Sequence, residues 1–356
     1  MSAAWELPEL RQCHPLPSAP RPIVIIGAGG IVNDAHLPAY RKAGFPVAGV
    51  FDVDADRARA TAQRWGIGQV YRSLEEAAAA EGCVFDVAAP PVAHRAILAA
   101  LPPGAAVLIQ KPLGLDLAQA TAIRAVCRER RLAAAVNFQL RFAPMMEAVA
   151  AASERGLLGR LLDVEVHLSL VTPWELFPHL IPNPRVEIVS HSIHYLDTIR
   201  ALAGEPRGVL ARTYHYPGSE LAQTRTSAIL DYGPELRVTL SINHHHDFGR
   251  RFQDATFRIE GERGAALVKL GLLLDYPRGE PDELWIAPRG GAWQAVSLEG
   301  AWFPDAFIGT MSNVQRYASG EDEMLRTSVE DAWHTMALVE ACYQSNEAPA
   351  TPVSQS

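Results

Sequence analysis

Short apolar runs alternate with helical stretches from residue 22 onward. The runs are IVIIG (23–27), VAGVF (47–51), FDVAAP (85–90), AAVLIQ (105–110) and AAAVNF (133–138). Segments of helical pattern, such as 54–65, 92–101 and 116–131, lie between them. Continuous apolar strands separated by helices predict a parallel sheet covered on both faces. The expectation is a doubly wound α/β, dinucleotide-binding domain over residues 22–141.

After about residue 155 the period changes. Val164, Val166, Leu168 and Leu170 alternate with Glu165, His167 and Ser169, the two-residue period of a strand with one wetter face. RTSAILDY and LRVTLSIN flank Gly233-Pro234 and read as a hairpin. Further strands are expected at 254–260, 265–270 and 283–287, and helices near 305–319 and 328–346. Residues 142–350 therefore read as an α+β domain on a large, open, mostly antiparallel sheet. The Pro-rich, aperiodic residues 1–21 read as a loosely ordered arm.

Composition narrows the class. The chain has 356 residues and a formal net charge of −8, with no basic run, which argues against nucleic acid or an acidic membrane as partner. The first residues lack the charged and apolar regions of a signal peptide, and no apolar run reaches membrane-spanning length. Four scattered cysteines (Cys13, Cys83, Cys127, Cys342) suit a reducing cytoplasm and offer no zinc knuckle.

The first strand runs into Gly27-Ala28-Gly29-Gly30-Ile31-Val32. Gly27 suits a tight turn, and Gly29 has no Cβ to block a pyrophosphate. The following helix offers its N-terminal amides to that anion. Val32 departs from the small residue usual at the third position of the fingerprint, which predicts looser helix–strand packing. Twenty residues on, VFDVD ends the second strand and puts Asp52 where a carboxylate accepts from ribose hydroxyls and repels a 2′-phosphate. NAD is the expected cofactor; Arg57 and Arg59 keep NADP as the minority option. Lys111, in QKPLG at the carboxyl end of the 105–110 run, can point at the nicotinamide end. Pro90 and Pro91 shape a wall, and His94 opens the next helix.

GAGGIVNDAHLPAY, VFDVD, APPVAH, QKPLG, NFQLRFAP and SHSIHYLDTIRALAGEP occur in that order from residue 23 to about 206. Together they resemble the glucose–fructose oxidoreductase, inositol dehydrogenase and MocA (Gfo/Idh/MocA) family. The resemblance places the family's Glu-Lys-Pro lysine on Lys111, with Gln110 in place of Glu. The family's Asp-x-Gly-x-His-x-x-Asp falls on Ser190 to Asp197. His194, the acid–base histidine, and Asp197 are retained, while Ser190 and Ser192 replace Asp and Gly. His191 falls at a variable position. The resemblance implies an NAD(P)-dependent dehydrogenase or reductase, cofactor contacts from Pro90, His94, Lys111 and Gln139, and a substrate pocket bordered by Arg141.

Chemistry fits these roles. Oxidising a secondary alcohol needs hydride transfer while a base takes the hydroxyl proton. A histidine suits that step at neutral pH, and a lysine stabilises the developing alkoxide. By spacing alone, His191, His194 and Asp197, three apart, read as a metal site, an acid–base site or an ordinary helix face. Asp197 serves either to fix the His194 tautomer or to cap and bridge within the fold. Arg141 reads as a pocket residue or as an anchor, and Trp174 as a sugar-stacking ring or a loop anchor. In NHHHD (243–247), a continued strand would put His244 and His246 on one face; pocket lining or hydrogen-bonded sheet histidines are expected rather than a metal.

The leading function is hydride transfer between NAD and a sugar, polyol or cyclitol, with Lys111 and His194 catalytic. Ser190, His191, Asp197, Trp174, Arg141 and His244 are expected to bind substrate. The resemblance implies a homodimer or homotetramer, with the sheet face turned away from the substrate as the dimer interface. The rival is a non-catalytic dinucleotide sensor of the corepressor kind, to which Ser190 gives room and against which Lys111 and His194 speak. Reduction of an imine or conjugated ring uses the same residues.

Overall fold

A computed structural model describes residues 6–353. The five apolar runs form strands β1 (Ile23–Ile26), β2 (Val47–Phe51), β3 (Val84–Val87), β4 (Ala106–Ile109) and β5 (Ala133–Val136). They pair in parallel in the order β2-β1-β3-β4-β5. Helices α1 (Leu37–Ala43), α2 (Ala55–Trp65), α3 (Leu74–Ala78), α4 (Pro91–Ala100) and α5 (Leu117–Glu129) connect them. β1, β3 and β4 are buried at every position, as a sheet covered on both faces requires. The chain leaves β1 to one side for β2 and crosses to the other for β3, so the strand order reverses between β1 and β3. Ligands of open α/β sheets bind at the carboxyl end of such a reversal.

Helix α6 (Pro144–Glu154) leads into the second sheet. Its strands are β6 (Leu161–Ser169), β7 (Gly208–Tyr214), β8 (Arg225–Asp231), β9 (Arg237–Asn243), β10 (Asp254–Gly261), β11 (Gly264–Lys269), β12 (Glu283–Pro288) and β13 (Gln294–Val296). Their order is β13-β12-β11-β10-β6-β9-β8-β7, and every pairing is antiparallel except β6 with β9. Val164, Val166, Val238, Leu240, Phe257 and Ile259 are buried, while their neighbours along each strand are half-buried or exposed. The alternating pattern thus keeps one face dry. Helices α7 (Ile193–Ala203), α8 (Asp305–Ser319) and α9 (Val329–Glu347) complete the chain.

The chain divides into two compact units, neither continuous in sequence. Of the described residues, the dinucleotide unit comprises Glu9–Ala151 with Leu298–Met336, and the other comprises 6–8, Ala152–Ser297 and 337–353. The boundary thus lies past residue 141, and the dinucleotide unit takes in α8. Phe307, Met311 and Val314 of α8 join Ile25, Tyr40 and Leu108 in one core. The described part of the arm is held rather than loose. Arg21 N donates to Gln315 Oε1 at 2.7 Å, His14 Nε2 meets Asp322 Oδ2 at 2.7 Å, and Arg11 pairs with Glu147. Those partners lie some 136 to 308 residues away, which local pattern does not reveal.

Candidate active site

In the dinucleotide unit, Gly27 has φ +108°, and a Cβ there would stand 2.6 Å from the Ala88 carbonyl oxygen. Only glycine fits that close approach of β1 to β3. A Cβ on Gly29 would meet nothing within 4 Å, so the backbone there is an open cradle of the kind a pyrophosphate fills. Asn33 braces the loop, its Nδ2 donating to the Ala28 and Gly29 carbonyls at 3.3 and 3.2 Å. Gly30 is exposed and Ile31 half-buried beside the cradle, while Val32 is fully buried. The turn after it is widened to π geometry, Leu37 N donating to Val32 O five residues back.

Asp52, 9 % exposed at the end of β2, accepts from Ala28 N at 2.7 Å and from Asp54 N at 2.8 Å. Its carboxylate therefore clamps the glycine loop while keeping lone pairs for ribose hydroxyls. Arg57 sits 3.5 Å from Asp52 and 3.4 Å from Asp54, and Arg59 pairs with Asp56. The two arginines that would greet a 2′-phosphate are engaged by carboxylates, and the residues present fit NAD.

Lys111 follows β4 and is half-buried; desolvation lowers its pKa from 10.5 to about 8. Pro90 is exposed at the carboxyl end of β3. His94 corrects one expectation. It is fully buried, its Nε2 hydrogen-bonds the Ala89 carbonyl at 2.9 Å, and burial lowers its pKa to about 4. It braces the wall as a neutral ring and presents no surface to a cofactor. Gln139 is buried, with Oε1 lacking a hydrogen-bond partner among the described residues. Arg141, 8 % exposed, takes the anchoring one of its two alternatives: it donates to Asp331 Oδ2 at 2.7 Å and to the Arg326 carbonyl at 3.1 Å.

In the other unit, the octet Ser190–Asp197 is not one continuous α-helical face. Ile188–Ser192 is a π turn, and α7 begins only at Ile193. His191 is therefore rotated from the position an α-helical three-residue spacing would give it relative to His194. Ser190 and His191 are half-buried, and His194 keeps 7 % of its surface. Asp197 is fully buried 3.9 Å from Arg200, the bridging one of its two expected roles.

Rings gather around His191. Trp174 meets it edge-on at 5.1 Å, Phe177 at 6.4 Å, and His244 lies at 4.9 Å. Trp174 also meets His244 at 5.3 Å, and Tyr276 packs on Phe177 at 6.0 Å. His244 is buried, its Nδ1 2.7 Å from Thr172 Oγ1 and its Nε2 3.5 Å from Glu187. Buried Glu187 also accepts from Ser192 Oγ at 2.7 Å and from Thr226 Oγ1. The sequence reading missed Glu187, Phe177 and Tyr276. Glu187 precedes the octet by three residues, so a carboxylate amid EIVS was the available signal.

β9 ends at Asn243, so the histidine run does not continue its alternation. Beyond it His244 N donates to the Thr224 carbonyl at 3.3 Å. His245 instead stacks on Tyr216 at 4.0 Å, and His246 meets Phe248 at 5.6 Å. The three rings turn to three different partners, and no cluster of three metal-ligating side chains occurs among the described residues. Among them, too, no helix is long and apolar enough to cross a membrane.

Residues 21–138 match the model of an oxidoreductase family with an NAD-binding Rossmann fold. The chain is 28 % identical over 335 residues to D-apiose dehydrogenase of Paraburkholderia graminis, covering 90 % of this chain and 86 % of that one. In fold it is similar to an oxidoreductase from Agrobacterium radiobacter in complex with NAD+, L-tartaric acid and magnesium. That likeness has a TM-score of 0.77 at 21 % identity and covers 92 % of this chain and 96 % of the other. It is similar also to levoglucosan dehydrogenase in complex with NADH and levoglucosan, with a TM-score of 0.74, 18 % identity and coverage of 91 % and 96 %. The glycine cradle, the Asp52 clamp and these matches agree: residues 21–138 match the NAD-binding Rossmann domain of the Gfo/Idh/MocA oxidoreductase family, and the chain as a whole is similar to oxidoreductases of that fold.

Proposed function

We propose that this chain is an NAD-dependent dehydrogenase or reductase acting on a secondary alcohol or carbonyl of a sugar, polyol or cyclitol. The observation that carries the reading is what gathers at the carboxyl edge of the five-stranded sheet: the open Gly29 backbone, Asp52 and Lys111. The names of the relatives, an apiose and a levoglucosan dehydrogenase, support the substrate class. NAD, when bound, supplies the nicotinamide ring that accepts or returns hydride.

Each residue then has one task. Gly27, Gly29, Gly30, Ile31 and Val32 shape the pyrophosphate cradle, Asp52 holds ribose hydroxyls, and Pro90 and Gln139 border the nicotinamide end. Lys111 donates a hydrogen bond to the reacting oxygen, stabilising negative charge as it develops. His194 takes the hydroxyl proton during oxidation and returns it during reduction. Trp174 and His191, backed by His244, offer ring faces and edges to the apolar side of a sugar ring, and Ser190 offers a hydroxyl where the family has a carboxylate. We assign the exposed face of the second sheet, which carries Leu210, Tyr214, Ile229 and Trp285, to a homodimer or homotetramer contact in the cytoplasm.

Lys111→Ala and His194→Ala test the reading. Each lowers turnover at least about a thousandfold while leaving the NAD dissociation constant within about threefold. Normal turnover in either variant overturns it.

A further inference from the structure

β3 carries a carboxylate where a buried parallel strand is expected to be apolar. Asp86 is fully buried, between Ile25 of β1 and Leu108 of β4. A buried charge is costly unless it is hydrogen-bonded. Asp86 Oδ2 accepts from Tyr40 Oη at 2.7 Å and lies 2.7 Å from His36 Nδ1. Both partner rings are buried, and Phe307 packs 5.0 Å from the imidazole. Tyr40 is held far above its ordinary pKa by burial and by Asp86, so its hydroxyl stays a donor.

These contacts settle the protons on His36. A carboxylate can only accept, so Nδ1 carries the hydrogen. On the other side of the ring, Nε2 lies 3.2 Å from Gln110 Nε2 and 3.4 Å from Asn137 Nδ2. Both neighbours are amide donors, so Nε2 bears a lone pair and the ring is neutral. Gln110 turns its amide nitrogen to the ring because its oxygen is taken: Oε1 accepts the main-chain N–H of Lys111 at 2.8 Å. The line Tyr40–Asp86–His36–Gln110 thus ends on the peptide that carries Lys111.

We propose that Asp86, His36 and Gln110 are positioning residues for Lys111, and that residue 110 must be a neutral amide because Asp86 already fixes the proton of His36 on Nδ1. The proposal rests on the catalytic reading of Lys111. The resemblance puts a Glu at position 110; here the carboxylate that faces His36 stands on β3 instead. A carboxylate at position 110 would aim an oxygen at the Nε2 lone pair. Relief requires moving the proton to Nε2, which leaves the Asp86 carboxylate against a bare Nδ1, or charging a ring that has no contact with water. Asn at 86 removes the conflict, because its amide can donate to Nδ1 and free the other tautomer to bind a carboxylate at position 110. Residues 86 and 110 are therefore a coupled pair read through one imidazole.

The test needs no substrate. The chain has three lysines, Lys42, Lys111 and Lys269, so protein labelled with nitrogen-15 lysine gives three backbone amide signals. In Gln110→Glu, hydrogen exchange of the Lys111 amide should quicken at least tenfold, with Lys42 and Lys269 unchanged. Adding Asp86→Asn should return it to within threefold of the Asp86→Asn protein. Where a sugar substrate is turned over, kcat should follow the same pattern with KM for NAD unmoved. An unchanged Lys111 amide in Gln110→Glu overturns the proposal, and so does a double variant that exchanges as fast as Gln110→Glu alone. If Gln110→Glu does not fold, recovery of folded protein on adding Asp86→Asn supports the coupling, and no recovery overturns it. Full turnover in Lys111→Ala would instead remove the functional reading and leave the exchange result standing.

Discussion

The two units hold their functional side chains by different physics. At the edge of the parallel sheet, position comes from backbone: Gly27 and Gly29 shape the loop, Asp52 ties it through the Ala28 N–H at 2.7 Å, and the Asp54 N–H at 2.8 Å holds the carboxylate in place. On the mixed sheet, position comes from packed rings, Trp174, His191 and His244, held within 5.3 Å of one another. A clamp of charge-assisted hydrogen bonds is specific to one ligand geometry, whereas ring edges and faces admit related ligands. The backbone clamp of the dinucleotide unit is thus the constant part and the ring cluster of the other unit the tunable part.

That contrast can be broken by substitution. The largest effect is expected at the clamp. Asp52→Ala removes the ribose acceptor and the tie on Ala28, and should weaken NAD about thirty- to hundredfold by calorimetry. NADP should lose far less, so that the preference between them narrows. Trp174→Ala should raise KM for a sugar substrate about tenfold, with kcat within about threefold and NAD binding unchanged. If Trp174→Ala weakened NAD as much as Asp52→Ala does, the division of labour would be wrong.

The smallest effect concerns pH. Desolvation lowers the Lys111 pKa to about 8, so its ammonium is present below that value and lost as pH rises through it. A hydrogen bond from the ammonium to the reacting oxygen is lost with it. Alcohol oxidation should accordingly show kcat/KM bending downward near pH 8, a limb absent from Lys111→Met. A profile rising smoothly past about pH 9 would exclude the charged lysine from the rate-limiting step.

Much of this architecture was legible because it is local. The five apolar runs and the glycine loop announce themselves within a few residues, and Asp52 follows at a set distance along the chain. The pattern at 208–214, GVLARTY, is too weakly alternating to announce β7, and the sequence reading passed over it. The failures at the site share a cause, since each depended on a partner distant in sequence or on where an element ends. Arg141 reads as a pocket residue or an anchor until Asp331 pairs with it, and His94 as a ligand contact until the Ala89 carbonyl takes its Nε2. β9 ends at Asn243, before the alternation that would have aligned His244 with His246, and where a strand ends is not written in the histidine run itself. The coupling of Asp86 with Gln110 passes through a third residue, which no spacing rule encodes.

The central claim is that this NAD-binding chain turns over a sugar-like substrate rather than sensing the cofactor alone. Incubating the unmodified protein with NAD and a panel including D-apiose, levoglucosan and myo-inositol, and following the absorbance of NADH, tests it most directly. The account predicts a steady rise with at least one neutral sugar, polyol or cyclitol, abolished by His194→Ala. Tight NAD binding with a flat trace across the whole panel in both directions of reaction would contradict it and favour the sensor.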